Sequence, residues 1–218
     1  MEKYKYPRTY HLPFSNTSND DKKHPSVDFL LGKEVIVTEK MDGENSSFSQ
    51  EYYHARSLDS NNHPSRDYVK HFWSSIQYFI PEGIRICGEN LYAQHSIRYE
   101  NLPDFFLAFS AWKDDTCLSW DETLRLFKTL SIFPVRTLYE GVYDIEKIHA
   151  KWKTLSEGKE GYVIRLRNSF TYDNFSESVV KFVRPNHVQT GDHWMNSTII
   201  KNKMNPDYTK WYRDLRIN

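Results

Sequence analysis

Residues 34–45 read EVIVTEKMDGEN and decide the interpretation of the whole chain. The first seven of them are rich in β-branched side chains, which favour a strand. Asp42 and Gly43 then form a pair that is typical of a turn, and residues 46–55, SSFSQEYYHA, have the composition of a second strand. The pattern predicts a strand, a turn and a strand, with Lys40 at the end of the first strand.

A lysine at the end of an apolar strand is held in place and partly desolvated. It becomes a nucleophile only when its amine is neutral, and from an ordinary pKa of about 10.4 this requires burial or nearby cations. The alternative is a solvated lysine beside an ordinary Asp-Gly turn. The four residues KMDG at positions 40–43 do not by themselves decide between the two interpretations.

Three amphipathic segments of the chain predict helices. In residues 64–80 a proline stands at a first helical position and apolar residues follow at helical spacing. Ser119 and Glu122 form a capping-box pattern that opens a second helix, ending near residue 130. Asp144 opens a third helix, which a glycine ends.

Short apolar segments bounded by Gly or Pro predict further buried strands. They lie at residues 83–93, 104–112, 161–167 and 178–184. Because the strands are clustered and interrupted by single helices, we predict an α+β fold with largely antiparallel sheets and flanking helices.

The composition of the 218-residue chain excludes several classes of protein. Its 29 basic and 29 acidic residues give a formal net charge of zero, so charge alone indicates no partner. Cys87 and Cys117 are the only cysteines and do not form a CxxC pair, which excludes a disulfide framework and a cysteine-rich zinc site. No apolar run resembles a membrane span or a secretory signal, so we predict a soluble, cytoplasmic protein without a membrane partner.

Aromatic residues make up 16% of the chain, which is the unusual feature of its composition. Aromatic side chains fill protein cores, and they also present faces on which nucleic-acid bases stack. We expect core packing for most of them.

For domain organisation we predict an irregular N-terminal lead-in at 1–33, one domain at 34–184 and a short C-terminal extension at 185–218 packed on or beside it.

Read together, the motifs resemble those of the covalent nucleotidyltransferases, and within that superfamily those of the ATP-dependent RNA ligases. Lys40 begins the nucleophile motif KxDG, Asn45 extends it to the form KxxGxN, and Arg56 falls where the family carries an arginine shortly afterwards. In chain order the other matching segments are 88–92 (GENLY), 105–112 (FFLAFSAW), 160–164 (EGYVI) and 180–184 (VKFVR).

The resemblance implies a nucleotidyltransferase (adenylation) domain and a set of catalytic roles. Lys40 would attack the α-phosphate of ATP and carry AMP covalently, while Lys181 would neutralise phosphate charge. Glu160 would orient Mg²⁺ or Mn²⁺ on the phosphates. Arg184 is a candidate for the second cation of the last motif, because Val183 stands where the family often carries a lysine.

Further nucleotide-binding roles follow from the same resemblance. Glu89 would accept hydrogen bonds from the ribose, Phe109 would stack on the adenine, and Glu39 would help to fix the purine. Phe109 competes for the stacking role with other aromatic residues of its segment, and Ser110 follows it where the family often has Asp. For Arg165, phosphate contact and an ordinary solvated strand face are equally compatible with the sequence.

The segment after Arg184 is too short for the five-stranded OB-fold domain that DNA ligases and capping enzymes carry after the last motif, so no OB-fold domain is expected. An ATP-dependent RNA ligase is therefore the leading hypothesis, with RNA 5′-phosphate and 3′-hydroxyl ends as substrates and end-healing enzymes as possible partners. The alternatives are a capping-type guanylyltransferase, a small DNA ligase, and a nucleic-acid-binding module without catalysis.

Overall fold

Two β-sheets form the framework of the protein, for which a computed structural model describes residues 3–17, 21–58, 62–185, 198–205 and 207. In chain order the strands are β1 (Tyr10–His11), β2 (Glu34–Lys40), β3 (Glu44–Ser49), β4 (Tyr53–Ala55), β5 (Ile84–Asn90), β6 (Phe106–Lys113), β7 (Thr116–Cys117), β8 (Thr137–Val142), β9 (Gly161–Leu166), β10 (Phe170–Thr171) and β11 (Val179–Val183).

The first sheet has the strand order β1-β11-β9-β2-β8 and the second has the order β10-β7-β6-β5-β3-β4. Strand β1 runs parallel to β11. The other pairs of neighbouring strands run antiparallel. Strands β2, β9 and β11 lie side by side, and this neighbourhood brings three of the sequence motifs together.

Within the described residues, three α-helices flank the sheets: α1 (Asp67–Ile76), α2 (Trp120–Thr129) and α3 (Ile145–Leu155). Short 3₁₀ turns extend α1 at both ends, at Pro64–Arg66 and Gln77–Phe79, so the predicted helix at 64–80 is found in three pieces. The capping box at the start of α2 and the N-cap of α3 are confirmed. The predicted mixed α+β architecture is therefore correct.

Each sheet packs helices on its outer face and meets the other sheet on its inner face. Trp152 of α3 packs with Val37 and Ile164 of the first sheet. A shared layer joins the two sheets, in which Val163 and Val179 of the first sheet pack with Trp112 of the second. We call the region where the ends of β2 and β9 of the first sheet approach the end of β5 of the second sheet the cleft.

The two predicted flanking segments contribute to the fold. The lead-in at 1–33 is not wholly irregular, because it supplies β1, which pairs with the last strand, β11. In the C-terminal extension, Asn202 donates to the backbone carbonyl of Leu91 and accepts from the N–H of Tyr99, which holds residues 198–205 against the second sheet's side of the cleft. The remainder of that extension, at 186–197, 206 and 208–218, lies outside the described residues.

Candidate active site

Lys40 and Glu160 meet at the end of the first sheet. Lys40 is the last residue of β2 and is paired with Gly161, the first residue of β9. Glu160 immediately precedes β9, so its side chain reaches the same corner. Lys40 Nζ donates to Glu160 Oε2 at 2.7 Å, and the two side chains are 24% and 5% exposed.

Two glycines allow the backbone to approach closely around this pair. A Cβ at Gly161 would lie 1.9 Å from the carbonyl oxygen of Phe182 in the neighbouring strand β11. A Cβ at Gly43 would lie 2.4 Å from the carbonyl oxygen of Asn90 at the end of β5. Glycine is required at both positions because no other residue lacks a Cβ. The glycines of KxDG and EGxVI thus bring β11 and β5 close to Lys40.

Asp42 fixes the turn that follows Lys40. One carboxylate oxygen, Oδ2, accepts from the backbone N–H groups of Ser96 and Ile97, at 2.9 and 2.7 Å, and from the Ser96 hydroxyl at 2.6 Å. The backbone N–H of Asp42 donates to the hydroxyl of Tyr99 at 2.9 Å. The aspartate of the motif therefore anchors the turn to the 96–99 loop, a role that the sequence did not indicate.

Glu89 faces the same corner from the second sheet. It lies opposite Asn45 in the pairing of β3 with β5. Burial raises the pKa of Glu89 to about 8, with a further rise from the nearby negative charges of Glu160 and Asp42, while the positive charge of Lys40 acts in the opposite direction. The residues predicted to bind phosphate and ribose are thus close enough to influence one another's charge.

The charge state of Lys40 differs from the sequence-based expectation. Burial by itself would lower the pKa of Lys40, but the negative charges of Glu160, Glu89 and Asp42 outweigh burial and raise it. Paired with Glu160, Lys40 is therefore an ammonium group, whereas the nucleophile has to be neutral. The surrounding carboxylates explain the difference, because a nearby opposite charge favours the charged form of an amine.

Lys181 lies on β11, opposite Val163 of β9. Its Nζ donates to Asp21 Oδ1 at 3.2 Å. Burial lowers the pKa of Lys181, and the positive charge of Lys40 lowers it further, whereas Asp21 and Glu160 raise it. The structure therefore groups the three predicted catalytic residues, Lys40, Glu160 and Lys181, at one corner of the cleft.

Glu39 and Arg184 contact the segment that precedes β9. Consecutive residues of a strand point to opposite faces, so Glu39 does not share the face of Lys40. Its buried carboxylate instead pairs with Lys159 Nζ at 3.1 Å. Arg184 Nε donates to the carbonyl of Lys159 at 2.7 Å, and its backbone N–H donates to the carbonyl of Glu160 at 3.0 Å. Arg184 thus holds the backbone at Lys159 and Glu160, whereas Glu39 holds the side chain of Lys159.

Asn45 and Arg56 have contrasting environments. Asn45 Oδ1 is buried and has no hydrogen-bond partner among the described residues. A buried acceptor in this position is suited to a donor on a ligand, because an unsatisfied buried polar group is costly. Arg56, just after β4, is exposed and forms no ion pair or hydrogen bond with another described residue. The structure does not bring Arg56 into the group around Lys40.

Phe109 is the bulged residue of β6. Cys87 pairs with Ser110 and Gly88 pairs with Ala108, which leaves Phe109 as the extra residue between them. A bulge re-aims a side chain, and Phe109 is half-buried. It packs edge-on against Tyr6, with ring centroids 5.2 Å apart. Its competitors for the stacking role, Phe105, Phe106 and Trp112, are at most 1% exposed and belong to the core.

Comparison with known proteins gives the family. The sequence model of the RNA ligase family matches residues 33–183, more than half of the 218-residue chain. The chain belongs to the RNA ligase family. No curated protein matches the sequence.

Solved structures with the same fold are distant in sequence from this RNA ligase family member. An archaeal ATP-dependent RNA ligase is 15% identical, with a TM-score of 0.53 over 82% of this chain and 48% of that chain. A protein from Aquifex aeolicus described as an ATP-dependent DNA ligase is 19% identical, with a TM-score of 0.53 over 83% and 50%. A mutant of Naegleria gruberi RNA ligase with ATP and Mn is 16% identical, with a TM-score of 0.50 over 84% and 61%. At these identities the similarity establishes the fold alone, and this chain spans about half of the length of the first two structures.

Arg165 is buried, contrary to a solvated strand face, while phosphate contact stays a prediction. Its guanidinium is 4% exposed and lies over the rings of Trp120 and Phe170, 5.5 and 5.4 Å from their centroids. Its Nη2 donates to the carbonyl of Leu118 at 2.7 Å. A solvated strand face is thus wrong for Arg165: its Nε also donates to a backbone carbonyl, that of Leu166, and its Nη1 has no hydrogen-bond partner among the described residues. The local sequence did not indicate this placement, because the aromatic partners of Arg165 come from α2 and β10.

The carboxylates around Lys40 suit a divalent metal ion in part. Carboxylate oxygens are the ligands that Mg²⁺ prefers, and this ion usually keeps several waters and the oxygens of substrate phosphates. Within the described part of the chain, no group of three or more His, Cys, Asp or Glu residues could hold a metal ion by itself. The residues therefore fit an ion held by Glu160 together with phosphate and water.

No helix in the described part of the chain is long and apolar enough to cross a membrane.

Proposed function

We propose that this member of the RNA ligase family is an ATP-dependent RNA ligase that transfers AMP first to Lys40 and then to an RNA 5′-phosphate. The observation that supports the proposal best is the 2.7 Å contact of Lys40 with Glu160 at the end of the cleft, with Glu89 and Lys181 close by. An amine, a carboxylate for a metal ion and a second cation are the groups that phosphoryl transfer to a lysine requires.

In the first step the Lys40 amine attacks the α-phosphorus of ATP. A P–N bond forms, the bond to the leaving pyrophosphate breaks, and the protons that the Lys40 amine gives up before and during the attack pass to solvent water. Because Lys40 is charged while it is paired with Glu160, Glu160 must release it before the attack. The positive charge of Lys181 favours the neutral amine and stabilises the negative charge on the phosphate.

Mg²⁺ or Mn²⁺ bound at Glu160 would supply Lewis-acid stabilisation of the phosphates. Glu89 would accept from the ribose hydroxyls, and the half-buried face of Phe109 would stack on the base. The unpartnered Oδ1 of Asn45 would accept a donor from the ligand. Glu39 and Arg184 would shape the site through the segment at Lys159 and Glu160, and Arg56 and Arg165 are not needed for this step.

In the later steps an oxygen of the RNA 5′-phosphate attacks the lysyl-bound phosphorus and takes the AMP. The 3′-hydroxyl of a second RNA end then attacks the activated 5′-phosphorus, and AMP leaves. Lys40 is the covalent carrier only until AMP has moved to RNA. A cytoplasmic location, end-healing partner enzymes and the domain boundaries stay predictions from the sequence.

The deciding experiment is incubation of the protein with each radiolabelled NTP and Mg²⁺, followed by denaturing electrophoresis. We expect label to be retained from ATP alone, through a bond that is labile in acid and stable in alkali, as a P–N bond should be. Label from GTP would favour a capping-type enzyme, and no label from any NTP would favour a binding module. Sealing assays with RNA and with DNA strands then distinguish an RNA ligase from a DNA ligase. The DNA ligase is included because the similar Aquifex aeolicus protein is described as one.

A further inference from the structure

The N-terminal segment is built into the edge of the first sheet beside Lys181. His11 of β1 lies opposite Lys181 of β11, and the N–H of Leu12 donates to the carbonyl of Lys181 at 2.8 Å. On the other side of β1, the N–H of His11 donates to the carbonyl of Lys22 at 2.8 Å. Residues 21–24 are thus held as a further edge, and Asp21 is brought next to the cleft.

Asp21 places one carboxylate between two side chains of different strands. Its Oδ1 lies 3.2 Å from Lys181 Nζ, and its Oδ2 lies 3.2 Å from His11 Nε2. The contact with His11 is within ion-pair distance but is not aligned as a hydrogen bond. The side chains of Lys181, Asp21 and His11 are 19%, 24% and 2% exposed, so the carboxylate and the ammonium are poorly solvated and interact more strongly than a surface pair.

Ser15 connects this group back to β11. Its hydroxyl oxygen lies 2.8 Å from His11 Nδ1 and accepts from the backbone N–H of Val183 at 2.9 Å. The imidazole of His11 is therefore fixed at Nδ1 by Ser15 and faces Asp21 with Nε2. Val183 of β11 thus contacts Ser15, Ser15 contacts His11, His11 contacts Asp21, and Asp21 contacts Lys181, which also lies on β11.

We infer that Asp21 is a positioning residue that holds the Lys181 ammonium at the corner of the cleft for transfer of AMP to Lys40. The inference rests on the proposed function. A lysine side chain has a flexible four-carbon stem, and the like charge of Lys40 repels Lys181. The fixed carboxylate of Asp21 offsets that repulsion and keeps the Lys181 ammonium in one place.

The electrostatics agree with this geometry. Asp21 raises the pKa of Lys181 against the lowering by burial and by Lys40, so the carboxylate helps to keep the ammonium charged. The opposite role would be a block, in which Asp21 occupies Lys181 and competes with phosphate. The two roles predict rate changes of opposite sign when the carboxylate is removed, which makes them separable.

The first experiment measures the rate of Lys40 adenylylation at saturating ATP in Asp21→Asn, Lys181→Ala and the double variant. Asp21→Asn should slow the reaction about tenfold, the size expected for loss of one charge-assisted hydrogen bond. In the Lys181→Ala background the same change should have almost no further effect, because Asp21 acts through Lys181. Asp21→Glu should recover part of the rate, and Asp28→Asn, which changes an exposed residue of the same segment, should match the wild type.

Three outcomes of this experiment overturn the inference: an unchanged rate in Asp21→Asn, a faster rate, which would identify a block, and an equal slowing with and without Lys181. A thermal melt of each variant identifies changes that only unfold the protein, and such a change would slow both backgrounds alike.

The second experiment does not depend on activity. With ¹³Cε-labelled lysine, the NMR signal of Lys181 is assigned by its absence in Lys181→Arg. Asp21→Asn should shift this signal and lower its titration midpoint, while Asp28→Asn should leave both unchanged. An unmoved Lys181 signal would overturn the inference even in an active enzyme. If the wild type forms no adduct but the signal moves as expected, the proposed function fails while the contact of Asp21 with Lys181 stands.

Discussion

Lys40 and Glu160 form a 2.7 Å ion pair although 120 residues separate them in the sequence. The pair exists because β2 ends at the position where β9 begins in the antiparallel ladder. Glu160 thereby favours the charged form of Lys40, the proposed nucleophile. The same carboxylate is the proposed metal ligand, so binding of the metal and release of the amine are coupled at one side chain.

Replacement of Lys40 separates the steps of the proposed reaction. Lys40→Ala should form no adduct with ATP and should not seal ordinary 5′-phosphate RNA, since no other group carries AMP. It should still seal RNA supplied with a 5′-adenylylated end, because the last step uses the RNA 3′-hydroxyl as the nucleophile. Gel assays on nicked duplexes and on single strands measure both activities. Peptide mapping of the wild-type adduct to a residue other than Lys40 would contradict the assignment.

Removal of the Glu160 carboxylate should stop adenylylation while the fold survives. Glu160→Ala removes metal-assisted stabilisation of the phosphates, a loss of several kcal/mol and of about 10²-fold or more in rate. Rates of adduct formation and thermal melts measure the two effects. Glu157→Ala, in the exposed loop before Glu160, is the matched control and should behave as wild type. Near-normal adduct formation in Glu160→Ala, with an unchanged melting temperature, would remove Glu160 from the mechanism.

Phe109 and Phe105 should respond differently to replacement by leucine. Phe109→Leu loses the aromatic face offered to the base, and stacking of a base on an aromatic ring contributes about 1–3 kcal/mol. The KM for ATP should therefore rise about tenfold with little change in kcat. Phe105→Leu changes a core side chain that is 1% exposed and should lower the melting temperature without changing the KM. The reverse pattern would show that the base is stacked elsewhere.

The close contact of β9 with β11 makes Gly161 intolerant of any side chain. Gly161→Ala should destabilise the protein by several kcal/mol, because its Cβ would lie 1.9 Å from the Phe182 carbonyl oxygen and the strands would have to separate. Gly158→Ala is the control: its φ of +69° is strained for alanine, but no atom lies within 4 Å, so its cost should be about 1 kcal/mol. Chemical denaturation measures both, and equal costs would be evidence against the steric argument.

The stability of the protein should depend on pH through His11. Burial lowers the pKa of His11 to about 4, with a further lowering by the charge of Lys181 on β11 and of Lys40 on β2, against a rise from Asp21. In the unfolded chain, His11 binds a proton near pH 6.5. The contribution of His11 to the free energy of unfolding is therefore fully present above pH 6.5. It is lost as the pH falls toward 4, by up to about 3 kcal/mol.

His11→Gln lacks the titrating group and keeps polar atoms near Ser15 and Asp21. The difference in unfolding free energy between wild type and His11→Gln should therefore change between pH 6.5 and 4 and stay constant above pH 7. A constant difference over the whole range would show that His11 titrates normally in the folded protein.

The sequence predicted the elements whose signals are local. The β-branched run of β2, the capping box of α2 and the N-cap of α3 are each determined by neighbouring residues, and all three were found. The motifs likewise indicated which residues to group around Lys40, although the roles of those residues stay predictions. Local periodicity and family resemblance gave most of the fold in this way.

The features that the sequence missed depend on distant partners. The strand β1 has two residues and no local pattern, and it exists because β11 offers an edge to it. The burial of Arg165 requires Trp120 and Phe170, and the anchoring by Asp42 requires the loop at 96–99. The paired charge of Lys40 depends on Glu160 and Glu89, which are distant in the sequence and which only tertiary structure brings near Lys40.

The link between β1 and β11 has a consequence for the order in which the protein matures on the ribosome. Residues near Asp21 leave the exit tunnel before Lys181, which lies 160 residues further along the chain. Contacts of such large sequence separation form late and slow folding. A nascent chain that stalls before β11 therefore exposes an unpaired sheet edge and carries Lys40 without Lys181, so we expect the proposed transfer of AMP to Lys40 only after β11 has been translated.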